Sequence, residues 1–198
     1  PKDALMPDGL IDKILDELSE IGYANRISFY NNNEPLLDKR IFDIVARARR
    51  RLPRTYLEIK TNGLVLTAEH VLRIFEAGLD QLYVNDYVPD GQPSRHILQV
   101  QEALDRLEHA GRQVNGRFIS ERLVISTRQV NEVLSTRAGT APNRGALHEP
   151  LRLACFRPFE MMTVNPAGDV GVCSSDRYFR NPMGNVTTFN YDANDNLK

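Results

Sequence analysis

The chain has 198 residues, 41% of them hydrophobic and 26% charged, which suits a folded globular protein and excludes a disordered one. Lys and Arg number 25 against 26 Asp and Glu, and the formal net charge of -1 excludes a protein whose main work is coating nucleic acid or an anionic membrane. No apolar run approaches the roughly 18 residues of a membrane helix.

At this length one domain plus an appendage is the starting expectation. The opening Pro1-Lys2-Asp3-Ala4-Leu5 carries neither a signal-peptide pattern nor an initiator Met, as expected of a piece of a longer chain. Two cysteines, Cys155 and Cys173, are too few for a disulfide framework, so a reducing, cytoplasmic setting is expected.

From Asp8 to Gly22 the residues Leu10, Ile11, Ile14, Leu15, Leu18 and Ile21 recur at helical spacing, with Asp8 placed as the cap and Gly22 just past the end. Arg26 to Tyr30 is a short β-branched and aromatic run, hence a strand. A second helix is predicted from Asp38 to Leu52, with Ile41, Phe42, Val45 and Ala48 on one face and Pro53 as its stop. Thr55 to Lys60 is a second strand, Thr67 to Ala77 a helix closed by Gly78, and Leu82 to Val84 a third strand. A fourth helix runs from Ser94 to Ala110 before Gly111, and Leu123 to Ser126 gives a fourth strand. Strands alternate with helices and no hairpin signal joins them, which demands a parallel sheet with helices outside, either a barrel or an open doubly wound sheet.

After Thr127 the regularity ends. Gly139, Pro142, Gly145 and Pro150 punctuate a loop-like stretch, and a domain boundary falls near Leu147 to Leu151. Beyond it, Met161 to Val164 and Asp169 to Val172 form a hairpin pattern turning through Asn165-Pro166-Ala167-Gly168.

In parallel α/β folds ligands bind at the carboxyl ends of the strands. Each predicted strand here runs into polar residues at that end: Asn31-Asn32-Asn33-Glu34-Pro35, Thr61-Asn62-Gly63, Asn85-Asp86 and Ser126-Thr127-Arg128. Turn chemistry alone produces such clusters, but four along one rim point to a site. Glu34 is the sharpest, a carboxylate able to accept hydrogen bonds from an ammonium group while ionised. His70, His96, His109 and His148 form no metal-ligand spacing, and there is no nucleophile elbow, P-loop or dinucleotide fingerprint, so hydrolase and nucleotide-triphosphatase readings are poor. The tract Arg47, Arg49, Arg50, Arg51 and Arg54 ends a helix, where the dipole favours cations, and lacks interleaved aromatics; nucleic acid and membrane are not expected partners.

Ile27-Ser28-Phe29-Tyr30 followed by Asn31-Asn32-Asn33-Glu34-Pro35-Leu36-Leu37 resembles the strand and "GGEP" motif of radical S-adenosylmethionine enzymes, and Thr61-Asn62-Gly63 resembles the family's "TNG" motif. The resemblance implies that Asn32, Asn33, Glu34, Pro35, Thr61, Asn62, Gly63 and Ser126 bind the cofactor, S-adenosyl-L-methionine, with Glu34 at the amino group of its methionine moiety. Asn32-Asn33 departs from the Gly-Gly pair, so side-chain amides stand where backbone access is usual. Cys155, Gly168 and Cys173 fit the C-x(9–15)-G-x4-C opening of a SPASM or twitch extension, with Asp176 and Gly184-Asn185-Val186 after it. That likeness implies metal ligation by Cys155 and Cys173. Val133-Leu134-Ser135-Thr136-Arg137-Ala138-Gly139 matches a segment of twitch-bearing dehydrogenases of the family and gives Arg137 a candidate role at the substrate.

The implied fold is α/β: a partial (β/α)6 TIM-like barrel with its first strand missing over residues 1–148, then a small auxiliary-cluster SPASM/twitch segment over 149–198. The implied function is generation of a 5′-deoxyadenosyl radical that abstracts a substrate hydrogen, in a two-electron oxidation or a peptide or natural-product modification. It calls for a [4Fe-4S] cluster, an auxiliary iron–sulfur cluster, a small-molecule or peptide substrate, and an electron donor such as flavodoxin or ferredoxin. The family's CxxxCxxC loop does not occur in these 198 residues, so the fragment by itself is expected to be inactive. The alternatives are a non-catalytic barrel relative serving as a peptide- or protein-binding module, and a generic α/β barrel with a zinc-binding tail.

Overall fold

The computed structural model describes residues 4–31, 33–130, 156–171, 173–176, 179 and 182–185. The chain divides into two compact units, Leu15–Glu132 and a second made of Pro1–Ile14 with Val133–Lys198.

The larger unit holds a four-stranded sheet in the order β1 (Arg26–Ser28), β2 (Tyr56–Thr61), β3 (Gln81–Val88) and β4 (Leu123–Gln129), all parallel. Each crossover carries one helix: α2 (Ile41–Arg51), α3 (Ala68–Glu76) and α4 (Arg95–His109). Sheet and helices meet on one face. Leu57, Ile59, Leu82 and Val84 are fully buried there, and so are Val45 and Ala48 of α2, Val71, Ile74 and Phe75 of α3, and nearly so Ile97 and Leu104 of α4. Each large aliphatic side chain buried in this way stabilises by about 1.5–3 kcal/mol, enough collectively to hold the strands in register.

The helix boundaries follow local chemistry. Thr67 accepts from the His70 N–H and Ser94 from the Ile97 N–H, each an N-cap at the residue where the sequence starts the helix. Gly22, Gly78 and Gly111 follow their helices with positive φ. Helix α1 (Asp8–Glu20) differs in one detail: Pro7 O receives the N–H groups of Leu10 and Ile11, so Asp8 lies in the first turn and is not the cap. The second helix starts at Ile41 and not at Asp38, because Pro35–Leu37 first forms a short 3-10 turn and Asp38 instead clasps Arg40.

The last two strands are longer than the sequence predicts. β3 continues to Val88 and β4 to Gln129, so Asn85-Asp86 and Ser126-Thr127-Arg128 lie within strands, paired Asn85 to Ser126 and Asp86 to Thr127, and not in loops at strand ends. Asn85 and Ser126 fit there because they lie on the face turned away from the helices, whereas Asp86, on the helix side, is held by accepting from the Ser94 N–H.

Three arginines of the tract have structural partners. Arg49 donates to the carbonyls of Gly78, Pro53 and Thr55 and to Asp80, while Arg47 pairs with Asp43 and Arg51 with Asp16.

In the smaller unit, β5 (Thr163–Val164) and β6 (Asp169–Gly171) form the expected antiparallel hairpin, and β7 (Pro182–Asn185) adds a third strand. Asn165 closes the turn by accepting from the N–H groups of Ala167 and Asp169. Leu10 and Val170 are buried together, with Met6, Ile14 and Val164 against them. A four-residue helix, α5 (Arg157–Glu160), precedes the hairpin. No helix among the described residues is long and apolar enough to cross a membrane.

Candidate functional site

Glu34 sits where β1 has ended, as N-cap of the 3-10 turn, with Pro35 in the first position, where a missing N–H costs nothing. Its carboxylate joins two segments far apart in sequence. Oε1 accepts from the Thr61 hydroxyl at 2.6 Å and the Leu36 N–H at 3.1 Å, and Oε2 accepts from the Asn62 N–H at 2.7 Å. A carboxylate offers about four acceptor positions, so one remains on Oε2 for a further donor. Glu34 is half-buried, so that position is reachable.

The Thr61-Asn62-Gly63 turn is held as tightly. Thr61 is buried, and its Oγ1 both donates to Glu34 and accepts from the Gly63 N–H at 3.1 Å. Asn62 Oδ1 accepts from the Leu64 N–H at 2.9 Å. Gly63 has φ +75, and a Cβ there would meet Ile97 Cδ1 at 2.8 Å and Val84 Cγ1 at 2.9 Å, so both the backbone and the packing demand glycine. The "EP" and "TNG" elements, separate in sequence, thus form one hydrogen-bonded rim over the ends of β1 and β2.

Below this rim the sheet face opposite the helices carries an arrangement that the sequence reading missed. Residues alternate along each strand, so Ser28, Glu58 and Gln81 form one rung across the sheet, with Lys60, Tyr83 and Val124 in the next. Asn85 and Ser126 follow in a third. Glu58 is 3% exposed, and its Oε1 accepts from the Ser28 hydroxyl at 2.7 Å and the Tyr30 hydroxyl at 3.3 Å. Lys60 Nζ lies 5.1 Å from the Tyr30 ring centroid and 5.4 Å from that of Tyr83. Tyr56 donates to Gln81 Oε1 at 3.4 Å, and burial pushes its phenol above the ordinary value, aided by Tyr83, Glu58 and Asp80. The signal was present in Tyr-Leu-Glu-Ile-Lys-Thr and Gln-Leu-Tyr-Val-Asn-Asp: a parallel strand covered by apolar layers on both faces is continuously apolar, whereas these alternate.

The remaining candidates are placed as follows. Asn33 is exposed and its Oδ1 accepts from the Asn31 N–H at 2.9 Å, which shapes the loop before Glu34. Ser126 lies half-buried on the polar face. Cys173 is a free, half-buried thiol whose sulfur accepts from the Ser175 N–H at 3.3 Å. Asn32, Arg137 and Cys155 lie outside the described residues. Among the described residues no group of three or more His, Cys, Asp or Glu side chains could hold a metal ion.

A parallel α/β sheet with a braced loop rim at the strand ends and a polar face beneath is the layout of a small-molecule binding scaffold. The comparisons with known proteins are narrower. The chain is 26% identical over 181 residues to the S-adenosyl-L-methionine-dependent 2-deoxy-scyllo-inosamine dehydrogenase of Niallia circulans, a match covering 91% of this chain and 66% of that protein. It is similar to the crystal structure of BtrN in complex with AdoMet and 2-DOIA, with a TM-score of 0.72 and 27% identity over 92% of this chain and 66% of that one. BtrN in an open conformation matches in fold, with a TM-score of 0.62, 23% identity and coverage of 92% and 64%. The resemblance to an S-adenosylmethionine-dependent dehydrogenase is thereby borne out, and the chain spans about two thirds of the length of these relatives. No family model matches the chain.

Proposed function

We propose that this chain is the S-adenosylmethionine-binding part of an oxidoreductase that withdraws hydrogen from a polar small-molecule alcohol. The observation that carries the reading is the likeness to BtrN, whose structure holds AdoMet, over 92% of this chain. The rim supports it. The open acceptor position on Glu34 Oε2 suits the ammonium of a methionine moiety, and the Asn62 and Leu36 N–H groups hold the carboxylate oriented for it.

Bound S-adenosylmethionine would supply, by radical chemistry, the acceptor for a hydrogen atom leaving the substrate carbon. The chain's own residues bind and orient. Glu34 fixes one end of the cofactor, Gly63 lets the backbone turn beneath it, and the polar face from Glu58 to Ser126 receives a hydroxylated substrate. In this reading the larger unit is part of a (β/α)6 barrel and the hairpin unit a twitch segment, with Arg137 at the substrate and an electron donor such as flavodoxin or ferredoxin as partner. An iron–sulfur cluster also belongs to the resemblance, with Cys155 and Cys173 among its ligands. The described residues contribute one thiol, Cys173, and do not fit a cluster that needs about four thiolates.

Equilibrium titration of the chain with S-adenosylmethionine tests the proposal. Saturable binding that shifts the amide resonances of Leu36, Asn62 and Gly63 is expected. Absence of binding, or binding that leaves those three amides unmoved, overturns it.

A further inference from the structure

Lys60 sits in surroundings unlike those of the ion-paired cations of its unit. Arg40, Arg47, Arg49, Arg51 and Arg112 each pair with a carboxylate. Lys60 has no carboxylate or carbonyl partner among the described residues, and its only neighbours of note are the two phenol rings beside it. Those rings hold the ammonium by their π faces, which attracts the charge and leaves its N–H donors without an acceptor among the described residues. Tyr30 is itself oriented by donating to Glu58, so the buried carboxylate fixes the ring and the ring fixes the lysine. Glu58, two positions earlier on the same strand, forms no ion pair with Lys60. Its Oε1 is already engaged by Ser28 and Tyr30. Toward the rim, the next rung offers the neutral side chains of Asn85 and Ser126.

We propose that Lys60 is the docking point for an anionic group, a carboxylate or a phosphate ester, on the substrate of this protein. The inference rests on the function proposed above only for the word substrate; the anion preference stands on the geometry. A preorganised ammonium, half-buried and with no counter-ion among the described residues, binds an anion strongly and repels an amine. The named substrate of the Niallia circulans relative is an inosamine, so this chain would take a differently charged molecule of comparable polarity. Lys60 belongs to the sheet face and lies one residue before the Thr61 turn, below the rim that Glu34 braces, which favours the substrate over the cofactor's own carboxylate.

The test titrates the 198-residue chain, with and without S-adenosylmethionine, against myo-inositol, myo-inositol 1-phosphate and an inosamine. The phosphate ester is expected to bind at least tenfold more tightly than the neutral cyclitol, and the amine most weakly. Lys60→Met keeps the aliphatic stem against the rings and should abolish the preference, whereas Lys60→Arg should keep most of it. Thermal melts establish that each variant is folded, and the Arg variant decides the outcome if the Met variant is not. Equal binding of all three probes, tightest binding of the amine, or an unchanged preference in Lys60→Met overturns the proposal. A tenfold loss of S-adenosylmethionine affinity in Lys60→Met also overturns it, by assigning the anion to the cofactor's carboxylate. Failure of the parent chain to bind S-adenosylmethionine counts against the proposed function alone, since the probe preference is measured without it as well.

Discussion

Replacing Glu34 by Gln exchanges one carboxylate oxygen for an NH2 group in a place where all three neighbours are donors. The side chain now has one acceptor oxygen to share among the Thr61 hydroxyl, the Leu36 N–H and the Asn62 N–H. If the amide nitrogen faces Asn62, a part-buried N–H is left without a partner, at about 1–3 kcal/mol, and the bonds that persist lose their charge assistance. Together these weaken the rim by about 2–4 kcal/mol. Because the rim lies outside the core around Leu57 and Ile59, the loss should appear as local opening and not as a large fall in melting temperature. The assay is amide hydrogen exchange, in which the Leu36 and Asn62 amides should exchange roughly 30- to 1,000-fold faster, one decade for each 1.4 kcal/mol. Affinity for S-adenosylmethionine should fall about ten- to hundredfold in the same variant, from the lost bond to its ammonium. Exchange and affinity both within twofold of the parent would refute the reasoning, and faster exchange with unchanged affinity would reduce Glu34 to a brace.

Gly63→Ala should destabilise the larger unit by about 2–4 kcal/mol, from left-handed strain together with overpacking against Ile97 and Val84, and chemical denaturation measures it. Arg122 is 2% exposed, its Nε has no partner, and its pKa is lowered chiefly by burial. Arg122→Met should therefore change stability by less than about 1 kcal/mol, since Val114 O keeps the Arg117 N–H as donor; a loss above 3 kcal/mol would show that the guanidinium is a true anchor. Tyr56 has its folded pKa raised above the ordinary value near 10, so the folded chain holds that proton more tightly than the unfolded one. Its contribution is present below pH 10 and lost as pH rises through the raised value, and Tyr56→Phe should flatten the decline of stability in alkaline titration.

Most of the sheet was legible because each helix carries its own punctuation: Thr67, Ser94, Gly78 and Gly111 stand where the caps form. The rim was legible only as two motifs. That Glu34 ties one to the other is a contact between residues 28 positions apart, which no local pattern encodes. The strand lengths were misjudged because Asn85, Asp86, Ser126 and Arg128 have low strand propensity, and here pairing across the sheet overrides it. Asp86 is buried among apolar neighbours yet remains in β3 because its Oδ2 accepts from the Ser94 N–H at 2.6 Å. The Lys60 cluster was legible in the period-two alternation, but it needed the register to bring Tyr83 beside Lys60.

Arg49 gathers the carbonyls of Gly78, Pro53 and Thr55 and the carboxylate of Asp80, which in turn accepts from the Leu57 N–H. All of these groups stand at the entry end of β2 and β3, away from the rim. One side chain therefore fastens the end of the sheet that does no binding. The consequence is a division of labour in how the chain can change over time. Substitutions that retune the rim or the polar face leave the fastened end intact, so new ligand preferences can be tried without unravelling the sheet, whereas almost any replacement of Arg49 frees several acceptors at once and has no functional gain to offset it.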